Sequence, residues 1–273
     1  MKTALVTGGT DGIGKGMVLH YLSEGYKVFA VGSNLDKGNN MTKEVNNPNF
    51  IFIQANLSLI SENKRVAEII LREVESLDAL ILCAASLRPQ DSFIKTQEGT
   101  EFTFSLYYLS RYILCYQLKE LLEKSQNPAI VNVAAPGMKG ALYLNDLQMQ
   151  KNYNGQKAQF HGSRLNDLLG VMFTENDSVG KIRYILFNPM AARTSGAAKM
   201  ASNKGIMKLM MKLYYKFAGK DVREIVNIIC EDIKKTKKSG LSAYILRKPV
   251  DLNMKTFDKE NAMKVHEYTE SLL

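Results

Sequence analysis

A chain of 273 residues is long enough to bury a full core in one large domain, or in two small ones. Its hydrophobic fraction of 45% and charged fraction of 23% are those of an ordinary soluble globular protein, which sets aside a disordered or membrane-embedded chain. The formal net charge of +9 raises nucleic acid and anionic lipid as partners, but much of the excess lies after residue 198 and reads as a local basic patch.

The opening MKTALVTGG has one lysine and a short apolar run before its glycines. That is too little for a signal peptide or a transmembrane segment. KTALVT predicts a strand over 2–7, and a helical pattern follows near 13–24. KVFAV (27–31) and FIFIQ (50–54) predict the next strands. A helical pattern near 60–76 leads to ALILC (79–83), and another near 97–124 leads to AIVNVA (129–134). Helical patterns near 160–175 and 221–238 alternate with IRYILF (182–187) and SAYIL (242–246). Strands this apolar, separated by helices, form a parallel sheet covered on both faces. No linker, repeat or low-complexity segment intervenes, so residues 1–273 read as one domain. The expected class is α/β: a Rossmann-type doubly wound fold with a mainly parallel seven-stranded sheet and helices on both faces. Cys83, Cys115 and Cys230 show no metal or redox spacing. They read as reduced, buried small residues, which fits a cytoplasmic location.

The segment LVTGGTDGIGKG joins the first strand to the first helix. Gly8, Gly12 and Gly14 let the backbone approach a pyrophosphate, and the helix start offers free N–H groups and a positive dipole end. The alternative is a plain structural turn, since glycine also marks those. The position between strand and helix, at the head of an alternating chain, favours a dinucleotide site.

TGGTDGIG resembles the nucleotide fingerprint of the short-chain dehydrogenase/reductase family. The wider chain is similar to its retinol-dehydrogenase-like and WW-domain-oxidoreductase-like branch. The segments QANLS (54–58), DALILCAAS (78–86), IVNVAAPG (130–137), NDLQ (145–148), FHGSRLNDLL (160–169) and NPMAART (188–194) recur in order, and the likeness reaches the tail. The resemblance implies an NAD(P)-dependent oxidoreductase acting on a carbonyl or alcohol. It implies cofactor contacts from Gly8, Thr10, Asp11, Gly12, Ile13 and Gly14 in the turn. It adds Asn56 and Leu57 near the adenine, Ala84 and Ala85 after the fourth strand, and Arg164, Pro189, Met190 and Thr194 further on.

An acidic residue at the end of the second strand would accept the ribose hydroxyls of NAD. The chain has Gly32, Ser33 and Asn34 there. With Lys15, Ser33 and Asn34 could bind a 2′-phosphate, so NADP(H) is favoured over NAD(H). The bland alternatives are a turn serine and a solvated lysine.

The family mechanism needs a tyrosine acid, a lysine that supports it, a serine that orients substrate and a helical asparagine. A family segment like IVNVSS reads IVNVAA here, so Ala134 and Ala135 carry no hydroxyl. A segment like YxxSKLAN aligns with FHGSRLND, which puts Phe160 at the tyrosine and Arg164 at the lysine. The asparagine falls on Tyr107. Tyr153 and Lys157 repeat the four-residue spacing but precede the expected helix, where a chance match is common. Replacement acids to weigh are Tyr107, Tyr153 with Lys157, and His161, each against a packing or surface role.

After the sixth strand, Met190 stands where the family has glycine. Lys204, Lys208, Lys212, Lys216 and Lys220 recur every four residues in a lid-like helical insertion about 195–220. That stripe fits a solvated face, a lid for an anionic or lipid-like substrate, or an anionic lipid surface. No recognised nucleic-acid module accompanies the charge. The leading expectation is an atypical NADP(H)-binding oxidoreductase. The alternative is an inactive nucleotide-binding sensor or scaffold. The substrate is an unspecified small molecule, no metal is implied, and a homo-oligomer is possible.

Overall fold

A strand that is apolar at every position can be buried only if both faces of its sheet are covered. The computed structural model of the chain, which describes residues 1–86, 88–138, 140–193, 219–236 and 239–273, shows that arrangement. Its strands are β1 (Thr3–Thr7), β2 (Lys27–Gly32), β3 (Phe50–Gln54), β4 (Ala79–Leu82), β5 (Ala129–Val133), β6 (Arg183–Asn188), β7 (Gly240–Ile245) and β8 (Lys248–Pro249). They form one sheet in the order β3-β2-β1-β4-β5-β6-β7-β8. The first seven run parallel. Strand β8 turns back antiparallel on β7 and makes the sheet eight-stranded rather than seven-stranded. Its two residues, lysine and proline, are edge residues and carry no apolar signal.

The described helices are α1 (Gly12–Ser23), α2 (Leu35–Val45), α3 (Ile60–Glu73), α4 (Phe102–Phe104), α5 (Ser110–Gln117), α6 (Lys119–Lys124), α7 (Gly155–Glu175), α8 (Val222–Lys235) and α9 (Lys259–Glu270). Alternate strand residues face opposite layers. Leu5, Phe29 and Leu80 pack with residues of α3, α5, α7 and α9. Ala4, Val28 and Ile81 pack with residues of α1, α2 and α8. Full burial of Ile225, Ile228 or Ile229 on α8 stabilises the second layer by about 1.5–3 kcal/mol each.

Three helical details depart from the sequence expectation. Helix α2 carries Gly38, Asn39 and Asn40, which blur its periodicity, yet the Asn34 side-chain Oδ1 accepts from Lys37 N and starts it. Helix α7 begins at Gly155 rather than near 160, because Asn154 accepts from Lys157 N at 3.0 Å. The pattern expected over 97–124 divides into α4, a wide π turn at Ser105–Leu109, α5 and α6. Thr194, most of the lid-like insertion and Lys204 to Lys216 lie outside the described residues. Lys220 is described, and its ammonium pairs with Glu224.

Candidate functional site

The strand order reverses direction at β1, with β2 on one side and β4 on the other. A crevice opens at the carboxyl ends of strands at such a point. Here it is a cleft of about 760 Å³. The turn after β1 forms its floor. Gly8 and Gly12 have φ of 64° and 50°, which glycine adopts at no steric cost. A Cβ on Gly14 would lie 2.1 Å from Gly8 O, so only glycine lets α1 start this close to the strand. The Asp11 carboxylate caps α1 by accepting from Gly12 N at 2.7 Å. Thr7 Oγ1 accepts from Cys83 N and Ala84 N at 3.1 and 3.2 Å and ties the ends of β1 and β4 together.

Thr10, Asp11, Gly12, Ile13, Ser33, Asn34, Asn56, Leu57, Ala84, Ala85, Pro189 and Met190 all line the cleft with the glycines Gly8 and Gly14. Two of these amides are partly committed. Asn34 caps α2, and Asn56 Oδ1 accepts from Ser58 N and Oγ. Lys15 does not line the cleft, because its ammonium pairs with Glu44 at 2.8 Å. The cation at this end is Lys37, in the first turn of α2, which pairs with Asp11. The signal for it was the Asn34 cap, three residues upstream. Met190 keeps a left-handed φ of 55° where the family has glycine, and its N–H donates to Asn188 Oδ1 at 2.8 Å.

The other end of the cleft carries Ala134, Ala135, Gln159, Phe160, Ser163 and Tyr107. Phe160 is half exposed. The Tyr107 and Ser163 hydroxyls are 3.2 Å apart. Tyr153 and Lys157 do not line the cleft. The Tyr153 hydroxyl instead donates to Glu101 Oε1 at 2.9 Å and lies 3.3 Å from Thr103 Oγ1, and burial pushes its pKa up to about 12. Lys157 is exposed on the outside of α7. His161 is buried, with Nε2 3.1 Å from Leu147 O. Desolvation lowers its pKa to about 4, so it is a neutral core group.

Arg164 is also absent from the cleft lining. One turn along, Asp167 holds its guanidinium at 2.9 Å, and Arg164 Nη2 also donates to the Ala135 carbonyl. Both side chains are buried. Asp167 further accepts from Thr256 Oγ1 and Gly137 N. Burial nevertheless raises the carboxyl to about 7, with the guanidinium opposing that shift. Behind Tyr107 lies a second buried arginine that sequence reasoning missed. The Arg111 guanidinium stacks 4.6 Å over the Tyr107 ring. It donates to Val133 O at 3.0 Å, Ala84 O at 3.2 Å and Asn132 Oδ1.

A family model described as short chain dehydrogenase matches residues 2–158, more than half of the chain. The chain belongs to the short-chain dehydrogenase family. Human retinol dehydrogenase 11 is 27% identical over 179 residues, covering 64% of this chain and 54% of that protein. Mouse retinol dehydrogenase 12 is 29% identical over 173 residues, covering 62% and 54%. These relatives belong to the branch that the sequence segments resemble. The chain spans about half the length of the curated relatives it matches. Among solved structures, a 3-ketoacyl-(acyl-carrier-protein) reductase from Brucella melitensis complexed with NADH superposes with a TM-score of 0.68 at 16% identity, covering 90% of this chain and 96% of that one. A protein from Mycobacterium paratuberculosis reaches 0.72 at 18% identity, covering 100% and 93%. Membership implies that this short-chain dehydrogenase takes a nicotinamide dinucleotide. The glycine cradle, which a single Cβ on Gly14 would fill, fits the pyrophosphate of such a group. Among the described residues, no helix is long and apolar enough to cross a membrane, and no cluster of ligands could hold a metal.

Proposed function

We propose that the chain is an NADP(H)-binding oxidoreductase that interconverts a carbonyl and an alcohol through a non-standard centre. The carrying observation is the geometry of the cleft. A glycine cradle stands at one end and a pair of hydroxyls, Tyr107 and Ser163, at the other. A bound nicotinamide would supply or accept the hydride. The chain's own contribution is to cradle the pyrophosphate, exclude water from the apolar middle and hold the reacting group near those hydroxyls.

The preference for NADP(H) rests on Ser33 and Lys37 at the mouth and on the lack of a carboxylate at the end of β2. A 2′-phosphate would compete with Asp11 for the Lys37 ammonium. Lys37→Ala is expected to weaken NADPH about 10- to 100-fold, the range of one hydrogen bond to a charged group, and to leave NADH nearly unchanged. Titration of nicotinamide fluorescence with both cofactors measures this. Equal losses for both would reject the 2′-phosphate assignment, and no binding of either would end the whole proposal.

A second reading, a nucleotide-binding sensor without turnover, is favoured by the groups at the family's reacting positions. Phe160 has no hydroxyl proton to transfer, Ala135 no hydroxyl, and Arg164 is held by Asp167. A panel of aldehydes and ketones followed at 340 nm separates the two. Cofactor binding with no turnover anywhere in the panel would leave the sensor.

A further inference from the structure

We infer that Tyr107 is the proton donor of a rebuilt centre, with Ser163 as its relay and buried Arg111 as the cation that positions its ring. This rests on the oxidoreductase reading above. Among the tyrosines described, Tyr107 alone lines the cleft.

The surroundings of that ring are built for it. One side faces the Arg111 guanidinium. Gly162 on α7 also packs against the ring, and a Cβ there would come within 2.8 Å of Tyr107 Cδ1. Any side chain at 162 would therefore push the ring from its place. The π turn at Ser105–Leu109 widens the backbone at this point, a distortion frequent at functional sites. Asn166 Nδ2 donates to Tyr107 O at 2.7 Å and holds the turn. Asn132 Nδ2 donates in turn to Asn166 Oδ1 at 2.9 Å, and Asn132 also receives Arg111. Arg111 is 1% exposed, and no carboxylate is paired with it among the described residues. Its carbonyl and amide acceptors leave its charge uncompensated. Negative charge that develops on the stacked ring would be drawn to it, strongly so in a dry interior.

The step balances as follows. In reduction, the carbonyl carbon receives a hydride from bound dihydronicotinamide. The carbonyl oxygen takes the Tyr107 hydroxyl proton as the O–H bond breaks. Ser163 Oγ, which otherwise donates to Gln159 O at 3.2 Å, returns a proton to the phenolate oxygen and is resupplied by solvent in the cleft that it lines. Oxidation of the alcohol runs the same path backwards. Arg111 is a positioning residue, since it acts only through the ring.

Tyr107→Phe is expected to lower kcat about 10²- to 10⁴-fold, the usual worth of a general acid, with the Kd for NADPH unchanged. Tyr153→Phe should match wild type. Gly162→Ala tests the same geometry without removing a functional group, and alanine favours the helix by about 1 kcal/mol. It should lower kcat at least tenfold while the protein stays folded. Arg111→Lys keeps the charge but loses the planar stack. It should lower kcat, leave KM for the carbonyl within about twofold, and alter the shape of the pH profile of kcat. A purely structural role would leave that shape unchanged.

A readout independent of turnover is the ¹³Cζ-tyrosine resonance that disappears in Tyr107→Phe. It should shift on addition of NADPH and in Ser163→Ala. A Tyr107→Phe rate within threefold of wild type, or a Tyr107 resonance blind to NADPH, would overturn the inference. NADPH binding with no turnover of any carbonyl would overturn it too, while leaving nucleotide binding intact. Failure to bind NADPH would instead overturn the reading beneath it.

Discussion

Gly14→Ala is expected to abolish measurable cofactor binding, a loss of more than about 100-fold in NADPH affinity, because the added carbon meets the chain and not a movable side chain. Its nearest neighbours would be Gly8 O at 2.1 Å and Gly8 C at 2.7 Å. Either α1 backs away from β1 or the turn at Gly8 rearranges, and both moves withdraw the N–H groups from the pyrophosphate. The helix itself gains propensity, so secondary structure by circular dichroism should survive. Fluorescence titration of NADPH and NADH checks the prediction. Losses should be similar for the two, since both share the pyrophosphate. Retained binding would mean that the nucleotide does not sit on this turn.

Above about pH 7, where the carboxyl is ionised, Asp167→Ala is expected to cost about 3–5 kcal/mol of unfolding free energy, because it strands the Arg164 guanidinium inside the protein without a countercharge. Two nitrogens of that group, Nε and Nη1, have no partner even with the carboxylate present. Denaturant unfolding measures the loss. The pH dependence has a sign of its own. Burial raises the Asp167 carboxyl from 3.8 to about 7, so the folded state holds a proton that the unfolded state has released between those limits. Stability from this group is therefore present below about pH 4 and declines as pH rises to about 7. In Asp167→Asn that decline should be missing, so it appears in the difference between wild type and variant. An identical pH dependence in both would show that the carboxyl titrates as an ordinary one.

Much of the architecture was legible because it rests on period and composition. The seven apolar runs are β1 to β7 within a residue or two, and the glycine turn lies at the sheet's reversal. What was less legible depended on single polar groups. Asn34, Asn154 and Asp258 each start a helix through one hydrogen bond, and such caps leave little trace in a hydrophobic pattern. In the site, the sequence supplied the floor and mouth of the cleft. It could not supply direction. Arg164 was expected at the place of the family's lysine, but a carboxylate one turn away holds its guanidinium. Lys15 was expected beside a 2′-phosphate, but Glu44, twenty-nine residues on, holds it, and Lys37 lines the cleft instead. Tyr153 had the better spacing, yet its hydroxyl serves a loop through Glu101. Arg111 stands four residues after Tyr107, a spacing that brings two side chains together on a helix, so the pairing itself was legible and only the burial of the guanidinium was not.

The ion pair on α7 also bears on how far the site could be turned back. Phe160→Tyr alone would return a hydroxyl to the cleft. The residue one turn along would still face Asp167 and the Ala135 carbonyl, so the new hydroxyl would lack its cation. Lysine at 164 alone would inherit the same captor. If 160 and 164 are the family's reacting positions, as the resemblance implies, recovering the ordinary centre would require changing 160, 164 and 167 together. On the proposal made for Tyr107, that coupling would act as a one-way gate that keeps the proton donor at Tyr107 and off position 160.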